Sequence, residues 1–393
     1  MLDRAWKPSC GKDVRRRSAG DRMSSRPTST LAALRQLASL GLPGKAVLPD
    51  AIRLLGAAVG FEMAGAFHVN HRCRIVDAHL PTDLPPELLI DYTENFLNRP
   101  DGEGAIGPTT EAGLRSDLRT IHTSRYVDRR TLMRTEFWNR VLHPAGIAWR
   151  VRLPLRSGRL PLANVDLTRP IGTPDFSAAD IRFLEQAQPW MCHALARVDD
   201  VGRADGEPSF PAGESSILIL DAGGKILSAS PGALTLLHQA IDTPLAPGDL
   251  HRSTQGDART LPRRLARAVG ASLACAPADL PAATIRNSHG FFSLRAYALD
   301  AFVPGSPLQV TLHIEKRMPL RLRLFRSPRF LALSPRERDV CLGLIANRPL
   351  AEIARQLGIK RSSVVHHASL LYQRLDIAGQ KDLLPALLGE TCS

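Results

Sequence analysis

Residues 334–388 read SPRERDVCLGLIANRPLAEIARQLGIKRSSVVHHASLLYQRLDIAGQKDLLPALL, which lays out as four short helices with punctuation between them. Ser334, Pro335 and Glu337 predict a helix start. Pro suits the first helical position, and Ser with Glu three residues on forms a capping box, hydroxyl to amide one way and carboxylate to amide the other. Val340, Cys341, Leu344 and Ile345 then recur at helical spacing. Asn347-Arg348-Pro349 breaks that helix. A second helix runs from about Leu350, buries Ile353, Ala354 and Leu357, and stops at Gly358, as a C-terminal glycine should. Ser362 is expected to cap a third helix with a buried stripe of Val364, His367 or Ala368, Leu371 and Leu375. A fourth covers Gln380 to Leu388. Two helices joined by a short Gly-containing turn in a basic segment have the layout of a helix-turn-helix.

The segment resembles the LuxR/NarL-type helix-turn-helix of bacterial transcription regulators. The matching residues are Ser334-Pro335-Arg336-Glu337-Arg338, Glu352-Ile353-Ala354, Leu357-Gly358-Ile359, and Val364, His367, Tyr372, Arg374 and Leu375. They are ungapped and span about 60 of 393 residues. The resemblance implies an all-α four-helix DNA-binding domain at 331–390 whose third helix enters the major groove of double-stranded DNA. With Val364, Ala368, Leu371 and Leu375 turned inward, helical geometry presents Ser363, Val365, His366, Ser369, Leu370 and Gln373 on the opposite face. The expected base-facing set is Ser363, Val365, His366, Ser369 and Gln373. The expected phosphate set is Arg355, Lys360, Arg361, Ser362 and Arg374, which positions the protein without reading sequence. In the family the position matching Val365 is very often Lys. Val contacts a thymine methyl but offers guanine no donor. Leu350 and Ala351 also stand where the family often has polar or basic residues. Related domains dimerise through the fourth helix, and Leu383, Leu384, Leu387 and Leu388 serve either that or packing under the third helix.

Charge follows the same division. Residues 1–30 hold 8 Lys/Arg against 3 Asp/Glu, residues 316–393 hold 14 against 6, and the stretch between holds 29 against 29. The net +13 is thus concentrated at the two ends, one of which is the helix-turn-helix. That is the footprint of a phosphate-binding module on a neutral body. The length of 393 residues suggests two or three domains, and 44% hydrophobic content is ample for their cores. No apolar run approaches the roughly 18 residues of a membrane span, and the first 30 residues are too charged for a secretory signal. A cytoplasmic location without membrane association is the expectation. The six cysteines contain no CxxC pair, which argues against a disulfide scaffold or a zinc knuckle.

Upstream, residues 1–29 read as a basic, disordered extension around Arg15-Arg16-Arg17, serving as a phosphate-binding arm or lying ahead of a terminus at Met23. Residues 30–200 read as one α+β domain. Its expected helices are Thr30–Leu40, Leu48–Ala58, Pro85–Phe96, Thr131–Leu142 and one beginning at Phe176 and running to about Val198. Paired strands are expected at Glu62–Val69 and Cys73–Ala78, and at Ala148–Leu155 and Pro161–Leu167. The element order and the stretch from Asp166 resemble GAF domains. A linker at 201–213 precedes a strand-turn-strand from Ser216 to Ser228 and a helix from Ser230, which resemble the start of a PAS domain. Strands at Gly290–Leu299 and Leu308–Ile314 complete a domain at 214–316, with a connector at 317–330. The fold class is therefore multidomain: an α+β sensor region, GAF-like then PAS-like, followed by the four-helix domain. No internal repeat is evident.

No GxxxxGK[ST] loop, receiver-type acidic pocket or Trp/Tyr/Asp pattern of acyl-homoserine-lactone binding domains occurs, and no catalytic motif stands out. His68, His71, Cys73 and His79 cluster in sequence, but positions 71 and 73 share a strand face that 68 does not, a poor start for the four ligands of zinc. His366 and His367 fall on different helix faces, so paired ligation is not expected either. The resulting expectation is a transcription regulator, not an enzyme, without cofactor. It acts as a homodimer on DNA, with an unidentified small-molecule effector and RNA polymerase as further partners. The alternative is a signalling adaptor whose helical C-terminus binds protein.

Overall fold

The computed structural model describes residues 26–80, 84–99, 104–196, 209–221, 224–243, 246–248, 282–299 and 307–389. The expected extension at 1–29 falls almost wholly outside them. The chain forms two antiparallel five-stranded sheets with helices, a mixed α/β multidomain layout.

The first sheet consists of β1 (Met63–Val69), β2 (Ile75–His79), β3 (Ile121–His122), β4 (Ile147–Ser157) and β5 (Leu160–Pro170), in the order β2-β1-β5-β4-β3. Its long hairpin alternates cleanly. Val151, Leu153 and Leu155 of β4 and Ala163, Val165 and Leu167 of β5 face one core. That core is covered by α1 (Arg26–Ala38), α2 (Gly44–Val59) and α6 (Ala178–Leu195). Ser177 caps α6 through a capping box with Asp180. On the other face lie α3 (Pro86–Asn95), the short α4 (Thr110–Arg115) and α5 (Arg129–Leu132), and a π-turn at Trp138–Leu142. The continuous helix expected over Thr131–Leu142 is thus broken. Thr135 accepts from the Trp138 amide and Asn139 donates to the Met133 and Thr135 carbonyls, so side chains replace helical bonds at the break.

The second sheet has β6 (Ser209–Asp221), β7 (Ile226–Ala229), β8 (Ala282–Asn287), β9 (Gly290–Leu299) and β10 (Gln309–Pro319), in the order β7-β6-β10-β9-β8. The two sheets share one topology, second-first-fifth-fourth-third, without a repeat legible in the sequence. Helix α7 (Ala233–Ile241) covers one face of the second sheet. Residues 209–213, expected in a linker, are strand: Ser209, Phe210 and Pro211 pair with Pro319, Met318 and Arg317. Pro304-Gly305, the turn signal between the last two expected strands, lies outside the described residues.

The expected connector is a structural hub. Helix α8 (Leu320–Arg326) follows β10 directly, then α9 (Pro328–Leu331). Met318, Leu322 and Phe325 enter the core of the first sheet, while Leu320 and Leu324 enter that of the C-terminal helices. Residues two apart on a helix point to nearly opposite sides, so one short helix serves two cores. Between them Arg321 donates to the Leu40 carbonyl (2.7 Å), Arg323 lies over the Phe210 ring (4.3 Å) and Arg326 pairs with Asp50 (2.8 Å).

Candidate nucleic-acid interface

The C-terminal domain comprises α10 (Pro335–Ile345), α11 (Leu350–Leu357), α12 (Arg361–Leu375) and α13 (Gln380–Leu388). The capping box is present: the Glu337 amide donates to Ser334 Oγ (3.3 Å) and the Ser334 amide to Glu337 Oε2 (2.7 Å). Burial favours the neutral Glu337 carboxyl, but the Ser334 bonds, Arg374 and His367 outweigh it and hold the group below its ordinary value. Asn347 at φ 54° turns the chain out of α10, and Gly358 at φ 62° ends α11. Left-handed geometry there lets the Ile359 amide reach the Ala354 carbonyl (3.0 Å). Val340, Cys341, Leu344, Ile353, Ala354, Val364, Ala368 and Leu371 form the core, while Ile345, Leu357, His367 and Leu375 are half-buried. Burial alone pushes the Cys341 thiol up to about 12, which suits a packing role.

The start of α12 differs from the expectation. Lys360, not Ser362, occupies the cap position, no side chain caps the helix, and Ser362 is exposed within the first turn. The first amides therefore remain open to an anion, in a field that favours one. Arg355, Lys360 and Arg361 are exposed around this end. Arg374 lies 13 residues further on, about 20 Å along the axis, where its guanidinium is engaged with Glu337 Oε2 (2.9 Å).

Of the expected base-facing residues, Val365, His366, Ser369 and Gln373 are exposed on one side of α12, and Ser363 is half-buried. The Ser369 hydroxyl donates to the Val365 carbonyl of its own helix (3.1 Å), so its lone pairs face outward. His366 and His367 stand with ring centres 6.0 Å apart, and only His366 is exposed. Val365 (45% exposed) and Leu370 (38%) make that face partly apolar. In α13, Leu383 and Leu387 are buried and Leu384 and Leu388 half-buried. The last turn is held by the connector, where Ser327 and Arg329 donate to the Leu387 and Ala386 carbonyls.

A second candidate site lies on the far face of the first sheet. A cavity of about 90 Å³ is lined by Met63, Phe67, Leu88, Tyr92, Phe137 and Val141, with Arg150 and Asp166 at its edge. Arg150 Nε donates to Asp166 (2.8 Å), and Asn164 donates to the other carboxylate oxygen (3.1 Å). Ligand pockets usually hold about 300–1,000 Å³, so this one accepts a molecule of only a few heavy atoms without repacking. Sequence reasoning missed it because Arg150 and Asp166 lie on different strands. Among the described residues no group of three or more His, Cys, Asp or Glu is placed to hold a metal ion, and no helix is long and apolar enough to cross a membrane.

No family model matches the chain, and no curated protein matches it. Among solved structures, the chain is similar to the phage VqmA–DPO complex, at 14% identity over 45% of this chain and 84% of that one, with a TM-score of 0.20. A Vibrio cholerae VqmA–ligand–DNA complex aligns at 11% identity over 44% and 82%, with a TM-score of 0.23. The Escherichia coli DhaR(N)–DhaL complex aligns at 15% over 74% and 90%, with a TM-score of 0.23. Likeness of this degree leaves the functional reading to the residues themselves.

Proposed function

We propose that the chain is a bacterial transcription regulator that binds DNA sequence-specifically through α10–α13, under control of the two sheet domains. The observation that carries this is α12. Its uncapped start is surrounded by Arg355, Lys360 and Arg361, and its exposed side carries Val365, His366, Ser369 and Gln373 on a closed four-helix core. The cations and free amides hold phosphates while His366 and Gln373 meet base edges and Val365 a thymine methyl. In this reading the first and second sheet domains are GAF-like and PAS-like sensors. The chain works in the cytoplasm as a homodimer on a two-fold site, contacts RNA polymerase, answers a small-molecule effector and catalyses no reaction. An effector acts only as far as it prefers one arrangement of the domains over another.

The test is selection of binding sites from a random duplex pool by the full chain, followed by affinity against salt. An enriched two-fold motif that relaxes in His366→Ala and Gln373→Ala is expected. Lys360→Gln and Arg361→Gln should weaken all sequences alike and each lower the salt slope by about 1. Salt-sensitive binding without any motif would refute sequence-specific reading. The exposed Val365 and Leu370 favour a second reading, an adaptor whose α12 face binds protein. It predicts no motif and loss of partner binding in Leu370→Ser.

A further inference from the structure

The two sheet domains meet at a cavity of about 620 Å³, far larger than the apolar one described above. Lys45 at the start of α2 is its hinge point. It donates to Asp77 of β2 (2.6 Å), meets His289 in the β8–β9 turn (3.1 Å) and approaches Asp242 at the end of α7 (3.7 Å). Two of its donors are thereby engaged, and Asp242 stands at ion-pair distance. Lys316 of β10 lines the opposite side and has used two of three, on Glu214 (3.4 Å) and Gln239 (3.2 Å). Both carboxylates of the wall, Asp77 and Glu214, are thus already matched to a lysine.

What remains unspent is mostly donor or protonatable. The side chains of His68 of β1 and His79 of β2 line the cavity and make no hydrogen bond among the described residues. Helix α7 opens onto it at Gly232, which has no side chain to cap the helix; the Ala233 amide donates to the Ser230 carbonyl (3.1 Å), and those of Leu234 and Thr235 follow it at the cavity wall. Leu48, Pro49, Leu80 and Leu234 supply an apolar end. We propose that this cavity binds a small organic oxyanion, a carboxylate or phosphate head group on a short apolar body, between Lys316, His68, His79 and the start of α7. The ligand would touch both sheet domains and so read their relative placement.

Binding is linked to protons. The titratable and charged groups facing the site are Lys45 from α2; His68, Asp77 and His79 from the first sheet; Glu214, His289 and Lys316 from the second; and His238 and Asp242 from α7 and its end. Burial, then Lys45, lowers His68 and His289 to about 4, and burial, then Lys316, lowers His79, so these rings are neutral at pH 7. An anion beside them favours the imidazolium, and its binding draws in a proton.

The test is isothermal titration calorimetry of the full chain, without DNA, using hexanoate and inorganic phosphate at about pH 6 and about pH 8. Saturable binding of either probe is expected, and hexanoate, which stays ionised throughout this range, should bind more tightly at the lower pH with proton uptake revealed by changing the buffer. Preference between the probes identifies the head group. Lys316→Gln and His68→Gln should each weaken binding at least tenfold, while Lys316→Arg retains it, with circular dichroism confirming that the variants are folded. No saturable binding, or binding indifferent to pH and to both variants, would overturn the proposal. Because DNA is absent, that failure would leave the helix-turn-helix reading standing.

Discussion

Arg326, at the end of the helix that feeds the C-terminal domain, grips Asp50 on α2 of the first domain with two donors along one edge of its guanidinium. Nε lies 3.0 Å from Oδ1 and Nη2 2.8 Å from Oδ2. The Asp50 side chain is 1% exposed and the Arg326 side chain 40%. The acid has therefore surrendered its hydration while the base keeps part of its own. Arg53 gives Asp50 one further contact, at 3.1 Å. Together with the divided apolar faces of α8, this pair joins the DNA-facing helices to the first domain.

Arg326→Gln should leave a buried carboxylate short of partners. Fully buried pairs lose about 3–5 kcal/mol on such a change, and the exposure of Arg326 reduces this to about 1–2 kcal/mol. Thermal unfolding should show it, and limited proteolysis should cut near residues 326–333 more quickly. Asp50→Asn combined with Arg326→Gln should recover part of the loss. Purely additive losses would show that the two side chains are not coupled.

Gly343 of α10 lies against Ile353 of α11, and a Cβ there would stand 2.8 Å from Ile353 Cγ1 and Cδ1. Gly343→Ala should destabilise the domain by about 1–3 kcal/mol, as overpacking does, despite the better helix propensity of Ala. Adding Ile353→Val should restore part of it, read by hydrogen exchange of the α10 amides.

Ser334→Ala removes the acceptor of the capping box and should cost about 1 kcal/mol, seen as faster exchange in α10. The depressed Glu337 carboxyl has a pH consequence. Its stabilisation is complete above the ordinary Glu value of about 4.3 and disappears as pH falls through the lower folded value. Glu337→Gln should flatten that acid limb and release Arg374.

His68 and His289 act in another window. Burial, then Lys45, lowers both to about 4, so the unfolded chain binds protons that the folded chain refuses between that value and about 6.5. Their contribution is whole above about pH 6.5 and falls with acidification by at most about 1.4 kcal/mol per pH unit for each ring. Urea midpoints should drop between about pH 7 and pH 5, and His68→Gln should shallow the slope.

Local signals were legible wherever a side chain acts on its own backbone. The capping box at Ser334, the stop at Gly358 and the pairing of β4 with β5 all follow from neighbours close in the chain. The α12 face was legible for the same reason, because helical period alone separates Val364 from Val365 and His366. Where a local rule met competition it failed. Ser362 is a good cap by type, yet the helix begins two residues earlier than it would set, at Arg361, with Lys360 in the cap position. The amphipathic run at Thr131–Leu142 breaks because Thr135 and Asn139 bond to nearby backbone.

By itself, then, the sequence determined the periods, caps and charge division that make a four-helix basic domain behind two α+β regions. Only the tertiary structure decided the strand order that the two sheets share, the pairing of residues 209–211 with 317–319, and the fate of LRLRLFR at 320–326. That heptapeptide is too short and too evenly apolar and basic for any one face to be chosen by its own pattern. Its two faces are set by cores lying far away in the chain, and Arg326 is fixed by an acid 276 residues distant, which no local spacing encodes.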